Sequence, residues 1–376
     1  MSTLDLPALD GANPLGFLAA LGTVAVLAEG NASLKLGWKS GARWTPFLEC
    51  AQPINETSVV QALARELRGA PVNPAAEQER AAAQVEFDRA KKVLKDAIEA
   101  LKKRKLRGKE RDTARKAEIE PLAQVQAQAR FTLLAALKRA VPSPELALGQ
   151  RPDCTIREFA GHATSLLEGA TQTRRLAGDL LAAFGAEIES DPDKRIEPTR
   201  FCFITGSGHQ WFLDTARQLM LATNEAKVRE ALFLPWPYAD EKLTMRWDPF
   251  DDRRYALMDR NPTASDNKSR TVWMANLLAY RALVYFPCAP EPRGCATAGW
   301  TLERTSPAFT WPIWEPPLGA DTIRSLLRHP AFGQSDITAY RRELRLRGVA
   351  ALFRSHRIQV GNPPLHKINF SPAQSA

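Results

Sequence analysis

The chain has 376 residues, 44% of them hydrophobic, which is long and apolar enough for one large folded domain or two ordinary ones. Its 51 Lys and Arg outnumber its 42 Asp and Glu, for a formal net charge of +9. This composition excludes a disordered chain, and the positive charge is clustered in short segments, as is typical of proteins that bind nucleic acid.

The cysteines indicate neither a disulfide framework nor a zinc site, because they are odd in number, far apart and without a C-x-x-C pair. A reducing compartment fits this usage best, so we expect a cytoplasmic protein. Separately, we expect no cofactor. The cysteines are Cys50, Cys154, Cys202, Cys288 and Cys295.

The longest uncharged run, residues 11–28, predicts a buried helix rather than a signal peptide or a membrane span. Asn13 can cap this helix, Pro14 fits its first turn, and Gly30 can end it. Alternating apolar residues then predict a β-hairpin over residues 34–44.

Residues 74–141 are rich in Ala, Gln, Glu, Lys and Arg, and their apolar residues recur at three- and four-residue spacing. This pattern predicts two long helices folded back on each other. The bend lies in "LRGKER" with Gly108 as the reversal point, or Pro121 delays the second helix to about Glu120. The predicted seam consists of Phe87, Ala90, Leu94, Ala97 and Leu101, facing Ile119, Leu122, Val125, Ala129, Leu133 and Leu137.

The predicted bend carries the densest charge, because "KKRKLRGKER" has seven cations and one Glu. Cations packed this closely repel one another, and nucleic-acid phosphates would supply the missing counter-charge. A protein-docking arm and a solvated insert are the alternatives. The candidate nucleic-acid-binding residues are Lys102, Lys103, Arg104, Lys105, Arg107, Lys109 and Arg111.

The pattern after residue 141 returns to mixed helix and strand, so we expect an α+β fold. Residues 1–73 and 142–376 would form the mixed body, and residues 74–141 a helical-hairpin insertion. Within the body, "RFCFITG" predicts a strand, and an apolar helix is expected from Trp273 to about Phe286.

The turn between that strand and the next helix is a second candidate site. A glycine-rich turn at a helix N-terminus can hold a phosphate, although the spacing is not that of a P-loop. A tight turn that simply needs small residues is the alternative. The candidate contacts are Ser207, His209 and Gln210, and the following helix is expected to bury Phe212, Ala216 and Leu219.

A basic segment near the C-terminus, "YRRELRLRGVAALFRSHR", predicts a helix with Glu343 as its single acid. Because arginine suits bidentate phosphate contact and base stacking, this segment favours nucleic-acid contact over a merely solvated face. Its candidate residues are Arg341, Arg342, Arg345, Arg347, Arg354 and Arg357. The polar loop "NPTASDNKSR" adds Asn267 and Lys268 as candidates for base contact, or is simply a surface loop.

Three acids invite a metal-dependent nuclease hypothesis, because carboxylates bind Mg²⁺. They are Asp248, Asp251 and Asp252, but Arg246, Arg253 and Arg254 are interleaved with them and favour an ordered salt-bridged loop. The five histidines show no metal-ligand spacing. We therefore expect no catalytic residue and no metal.

Five stretches together resemble a protein family encoded beside type I-G (I-U) CRISPR effectors. They are "LDGANPLGFLAALGTVAVLAE", "TGSGHQWFLDTAR", "MRWDPFDDRRYAL", "WPIWEPP" and "LRLRGVAALFRSHRIQVG". The resemblance covers about residues 1–50 and 200–362, and the hairpin lies outside it. The resemblance leaves two roles open: a large subunit of Cascade, or an extension-type subunit of the system's helicase-nuclease.

The resemblance implies a non-catalytic subunit of a surveillance complex guided by CRISPR RNA. Such a subunit would help to bind target DNA, recognise its flanking motif and recruit the nuclease, while the guide RNA reads the sequence. The expected partners are CRISPR RNA, target DNA, the other Cascade subunits and the helicase-nuclease, and no membrane.

Overall fold

The computed structural model describes residues 1–168, 175–206, 210–251, 270–292, 294–301, 306–360 and 367–376. Helices and small antiparallel sheets confirm the predicted α+β class. The helices are α1 (Pro14–Leu27), α2 (Glu56–Arg68), α3 (Pro74–Lys103), α4 (Gly108–Ala114), α5 (Glu120–Ala140), α6 (Ile156–Glu168), α7 (Leu176–Ala182), α8 (Phe212–Leu221), α9 (Glu225–Phe233), α10 (Trp273–Arg281), α11 (Ala320–Leu327) and α12 (Arg341–Leu346).

The strands are short except for two near the C-terminus. They are β1 (Ser2–Asp5), β2 (Lys35–Lys39), β3 (Thr45–Cys50), β4 (Gly185–Ala186), β5 (Glu197–Pro198), β6 (Asp240–Glu241), β7 (Arg270–Thr271), β8 (Cys288–Glu291), β9 (Gly294–Thr297), β10 (Ala308–Trp314), β11 (Leu318–Gly319), β12 (Val349–Val360), β13 (Lys367–Phe370) and β14 (Gln374–Ser375). The chain folds as two compact units, which we call the body (residues 1–69 and 150–376) and the hairpin (residues 70–149).

Helix α1 lies at the centre of the body, with 13 of its 14 residues buried. Asn13 caps it as predicted, since its Oδ1 accepts hydrogen bonds from the N–H groups of Leu15 and Gly16 at 2.8 and 3.2 Å. Gly22 lets α10 approach closely, because a Cβ at this position would lie 1.7 Å from the Leu278 carbonyl oxygen. The sequence pattern therefore predicted both the start and the burial of this helix.

The predicted N-terminal β-hairpin forms as β2 and β3, in an antiparallel sheet of order β1-β3-β2-β11. Its Trp38 ring stacks on Phe17 at 5.7 Å and meets Trp314 edge-on at 5.8 Å. The indole N–H of Trp314 donates to the Leu36 carbonyl at 2.8 Å. These contacts join the sheet to α1 and to β10 in one aromatic core.

The predicted C-terminal basic helix is wrong beyond its first two turns. Helix α12 ends at Leu346, Gly348 has φ +81°, and residues 349–360 form the strand β12. This strand pairs antiparallel with β10, with Trp311 opposite Phe353. The apolar residues of the segment are spaced as in a helix, but pairing with β10 determines the strand conformation. No local pattern in the segment reveals this pairing.

The strand predicted at "RFCFITG" is also wrong, although the segment is buried. Residues 201–204 lie in irregular backbone, and Phe201 contacts the rings of Trp247, Trp300 and Phe309 at 5.7, 5.2 and 5.1 Å. The Phe201 carbonyl accepts the Trp247 indole N–H at 3.0 Å. The apolar run therefore indicates burial in the core and not a sheet position. The following helix buries Phe212, Ala216 and Leu219, as predicted.

The hairpin consists of α3 and an antiparallel second arm made of α4, a π-helical turn (Arg115–Ile119) and α5. Glu79 and Arg139 form a 2.7 Å ion pair near its base, where Ala70 N donates to the Pro142 carbonyl at 2.8 Å. The two predicted starts of the second arm both mark real boundaries, because α4 begins at Gly108 and α5 at Glu120.

The seam between the arms is buried best near the base, in a cluster of Ala83, Phe87, Leu133, Ala136 and Leu137. Val125 does not belong to the seam, since its side chain is 58% exposed, and Gln126 takes that position half-buried. Apart from Val125, the predicted seam residues are buried or half-buried.

All five cysteines are free. Across the described ranges, no helix combines the length and the apolarity needed to span a membrane.

Candidate nucleic-acid interface

The hairpin reverses direction in the four residues 104–107, and we call residues 102–111 the tip. All seven candidate cations of the tip are exposed. Helix α3 ends as Arg104 N and Lys105 N donate to the carbonyls of Leu101 and Lys102, both at 3.2 Å. Lys105 and Gly108 both have φ +52°, the left-handed conformation that reverses the chain. The glycine predicted as the reversal point therefore has that role together with Lys105.

One ion pair joins the two arms at the tip, with Arg104 Nη1 lying 2.6 Å from Glu118 Oε1. Within the part of the chain that the structure describes, the other six cations of the tip form no ion pair. Between residues 102 and 118 there are nine cations and three carboxylates. Because these charges are exposed and unbalanced, the tip attracts polyanions and is well suited to contact phosphates.

The tip also contains a cavity that the sequence pattern did not reveal. It measures about 460 Å³. Its lining combines four aliphatic side chains with four cations: Ile98, Leu101, Leu106 and Ile119, and Lys102, Lys105, Arg111 and Arg115. Lys102 and Lys105, both predicted from the sequence as phosphate contacts, therefore border an apolar recess, as does Arg111 on the second arm.

The six C-terminal arginines fall into two groups. Arg341, Arg342 and Arg345 lie exposed on α12 and form no ion pair with a described residue. Arg347 instead lies 2.7 Å from Glu343 Oε1, which also contacts His329 Nε2 at 3.1 Å. The hydrogen bonds from His329 and Arg347 lower the pKa of Glu343 below its ordinary value.

The two arginines of β12 are used within the fold. Arg354 donates to Thr310 Oγ1 at 2.9 Å, to the Gln334 carbonyl at 2.7 Å and to the Ser335 carbonyl. Arg357 packs over the Phe203 ring at 5.5 Å, and burial lowers the pKa of its guanidinium. The prediction that these two arginines contact nucleic acid assumed an exposed helix face. In the strand, both side chains are half-buried instead.

The phosphate site predicted before α8 is less well supported, because two backbone N–H groups in the first turn of α8 already have acceptors. The N–H groups of Leu213 and Asp214 both donate to the Gln150 carbonyl, at 2.9 and 3.3 Å. Gly206 N donates to the Gln210 carbonyl at 2.9 Å, and a Cβ on Gly206 would lie 2.4 Å from the Trp211 ring. Gln210 is half-buried, whereas Ser207 and His209 lie outside the described residues.

Asp248, the first acid of the nuclease hypothesis, is fully buried and bonded within the fold. It accepts hydrogen bonds from Asn13 Nδ2 at 3.0 Å, Tyr238 Oη at 2.8 Å and Phe250 N at 3.0 Å. Asp252 lies outside the described residues, as do Asn267 and Lys268. Among the residues that are described, no cluster of three or more His, Cys, Asp or Glu could hold a metal ion.

No protein-family model and no curated protein matches this chain.

Proposed function

We propose that this protein is a non-catalytic nucleic-acid-binding subunit of a type I CRISPR surveillance complex, in which the hairpin tip holds the sugar-phosphate backbone. The observation that supports nucleic-acid binding is the set of six exposed tip cations without an ion-pair partner among the described residues. The placement in a CRISPR system is supported by the resemblance of residues 1–50 and 200–362. Target-DNA binding, flanking-motif recognition and nuclease recruitment are the roles that follow from it.

Three outward cations provide the cleanest test, because Lys103, Arg107 and Lys109 neither line the cavity nor form the Arg104–Glu118 ion pair. Replacing all three with Gln should weaken binding to duplex DNA regardless of its sequence. The slope of log affinity against log salt should flatten by about 0.9 for each phosphate that the variant no longer neutralises. A filter-binding or anisotropy titration at several salt concentrations measures both.

The matched control removes three cations from the helical arms instead of the tip. Lys91, Lys92 and Lys138 are exposed and make no ion pair with a described residue. Their triple Gln variant should keep the affinity and the salt slope of the unmodified protein. Equal behaviour of the two triple variants would mean that only overall charge matters and that the tip is not a nucleic-acid site.

Membership of the surveillance complex needs a separate experiment. The tagged chain should co-purify at low salt with the Cas backbone subunits and CRISPR RNA of a type I surveillance complex. Failure to associate under those conditions would contradict the CRISPR assignment, whatever the outcome of the DNA titration.

A further inference from the structure

We propose that the tip cavity is a docking site for an acidic peptide segment of a partner protein, anchored by one apolar side chain. This inference goes beyond nucleic-acid binding, because it concerns the cavity between the arms and an occupant of different chemistry. The cavity of about 460 Å³ is within the size range of ligand pockets and would accept one large side chain with parts of its neighbours.

The floor of the cavity requires an apolar occupant. Ile98, Leu101 and Leu106 are half-buried, and Ile119 is 8% exposed. Binding of an aliphatic or aromatic side chain is favourable here, because it removes this apolar surface from water. The polar side chains of the lining are all cations, so the remainder of the occupant must be anionic.

The rim determines where those anions must lie. Lys102 lies at the end of α3, and Lys105 lies in residues 104–107, which connect the two arms. Arg111 and Arg115 belong to the second arm. None of the four makes an ion pair with a described residue. Cations contributed by both arms suit an occupant with carboxylates before and after its apolar anchor. A fatty acid, with a single anionic end, would leave part of the rim unmatched.

A nucleobase fits this cavity poorly, although phosphates suit the outside of the tip. Base edges carry N–H donors as well as acceptors, and each polar side chain of the lining is a donor. The carbonyls of Leu101 and Lys102 already accept the N–H groups of Arg104 and Lys105. The eight lining side chains include no aromatic ring for stacking. Carboxylates need only donors, so they match the cavity better than a base does.

The experiment selects peptides from a random 12-residue display library against the full chain. The peptides recovered should share an apolar residue with Asp or Glu on both sides. Their affinity should fall at least about tenfold for Leu106→Ser, which removes floor surface, and remain for Leu106→Met. Val125→Ser is the matched control, because Val125 is exposed on the same hairpin outside the cavity, and it should bind as the unmodified chain does.

Circular dichroism of each variant checks that the hairpin remains helical. Recovery of no peptide, recovery of peptides without the acidic-apolar pattern, or equal binding by Leu106→Ser and Val125→Ser would overturn the proposal. A loss of single-stranded DNA binding in Leu106→Ser would also overturn it, because the cavity would then hold a nucleotide. The outward-cation variant distinguishes this proposal from the proposed function: it should lose DNA affinity and still bind the selected peptides.

Discussion

Asp248 Oδ1 accepts a hydrogen bond from Asn13 Nδ2 at 3.0 Å, and this contact orients the amide whose oxygen caps α1. Two residues 235 positions apart therefore act together in starting the central helix. The same carboxylate accepts from Tyr238 and from Phe250 N, so these hydrogen bonds hold the buried acid within the fold.

Asp248→Ala should lower the free energy of unfolding by about 1–3 kcal/mol, because it removes a buried carboxylate that accepts hydrogen bonds from Asn13, Tyr238 and Phe250 N. Urea denaturation followed by tryptophan fluorescence measures the change. Asp96→Ala is the control, since Asp96 is exposed on α3, and it should change stability by less than about 0.5 kcal/mol. Equal stability of the two variants would contradict the capping role.

Gly22→Ala should destabilise the body by at least about 2 kcal/mol, because the new methyl group would overlap the Leu278 carbonyl and push α10 away from α1. Gly30→Ala is the matched control, as a Cβ there meets no atom within 4 Å. Thermal unfolding of the two variants provides the comparison. A Gly22→Ala protein as stable as Gly30→Ala would mean that the two helices do not pack this closely.

Arg354→Gln should destabilise the body by about 1–3 kcal/mol and leave DNA affinity unchanged, because Arg354 donates to Thr310 Oγ1 and to the Gln334 and Ser335 carbonyls. Thermal unfolding and DNA titration of the same sample separate the two effects. A drop in affinity with unchanged stability would mean that Arg354 binds nucleic acid instead of supporting the fold.

The three arginines of α12 should behave in the opposite way. Replacing Arg341, Arg342 and Arg345 with Gln removes exposed charge without breaking an ion pair to a described residue. The melting temperature should therefore stay the same while DNA affinity falls and the salt slope flattens by up to about 0.9 for each phosphate no longer neutralised. Unchanged binding would restrict nucleic-acid contact to the hairpin tip.

Glu343 should stabilise the fold in a pH-dependent way, since its pKa is lowered by His329 and Arg347. A carboxylate with a depressed folded-state pKa stabilises above its unfolded pKa, and the stabilisation is lost as the pH falls through the folded value. Glu343→Gln should therefore have a lower melting temperature than the unmodified protein at about pH 6. The two melting temperatures should become similar at about pH 3. A pH-independent difference would point to a packing effect.

Local patterns were sufficient to predict those elements whose boundaries and burial are set nearby. Asn13 and Pro14 determine the start of α1, and the apolar period of residues 74–141 requires a facing helix of similar length. The identity of β12 could not be predicted in this way, because its strand conformation depends on pairing with Ala308–Trp314. A basic segment with helical spacing became a strand for a reason that lies about 40 residues upstream.

The candidate site shows the same division. The seven cations of the tip are evident in the sequence, and their exposure follows from their position outside the apolar seam. The cavity was not predictable, because it forms only when the end of α3, the connection and the π-helical turn bring Leu101, Leu106 and Ile119 together. The use of Arg354 within the fold was equally hidden, since two of its acceptors are backbone carbonyls of a separate loop.

The hydrogen bond between Ala70 N and the Pro142 carbonyl brings the entrance and the exit of the hairpin to the same place. An insertion or deletion of equal length in both arms would therefore leave the chain ends at the hairpin base where they are. Seven residues added to each arm would lengthen the hairpin by about 10 Å at 1.5 Å per residue. The length of the hairpin can therefore change during evolution without altering its base or the cations of its tip.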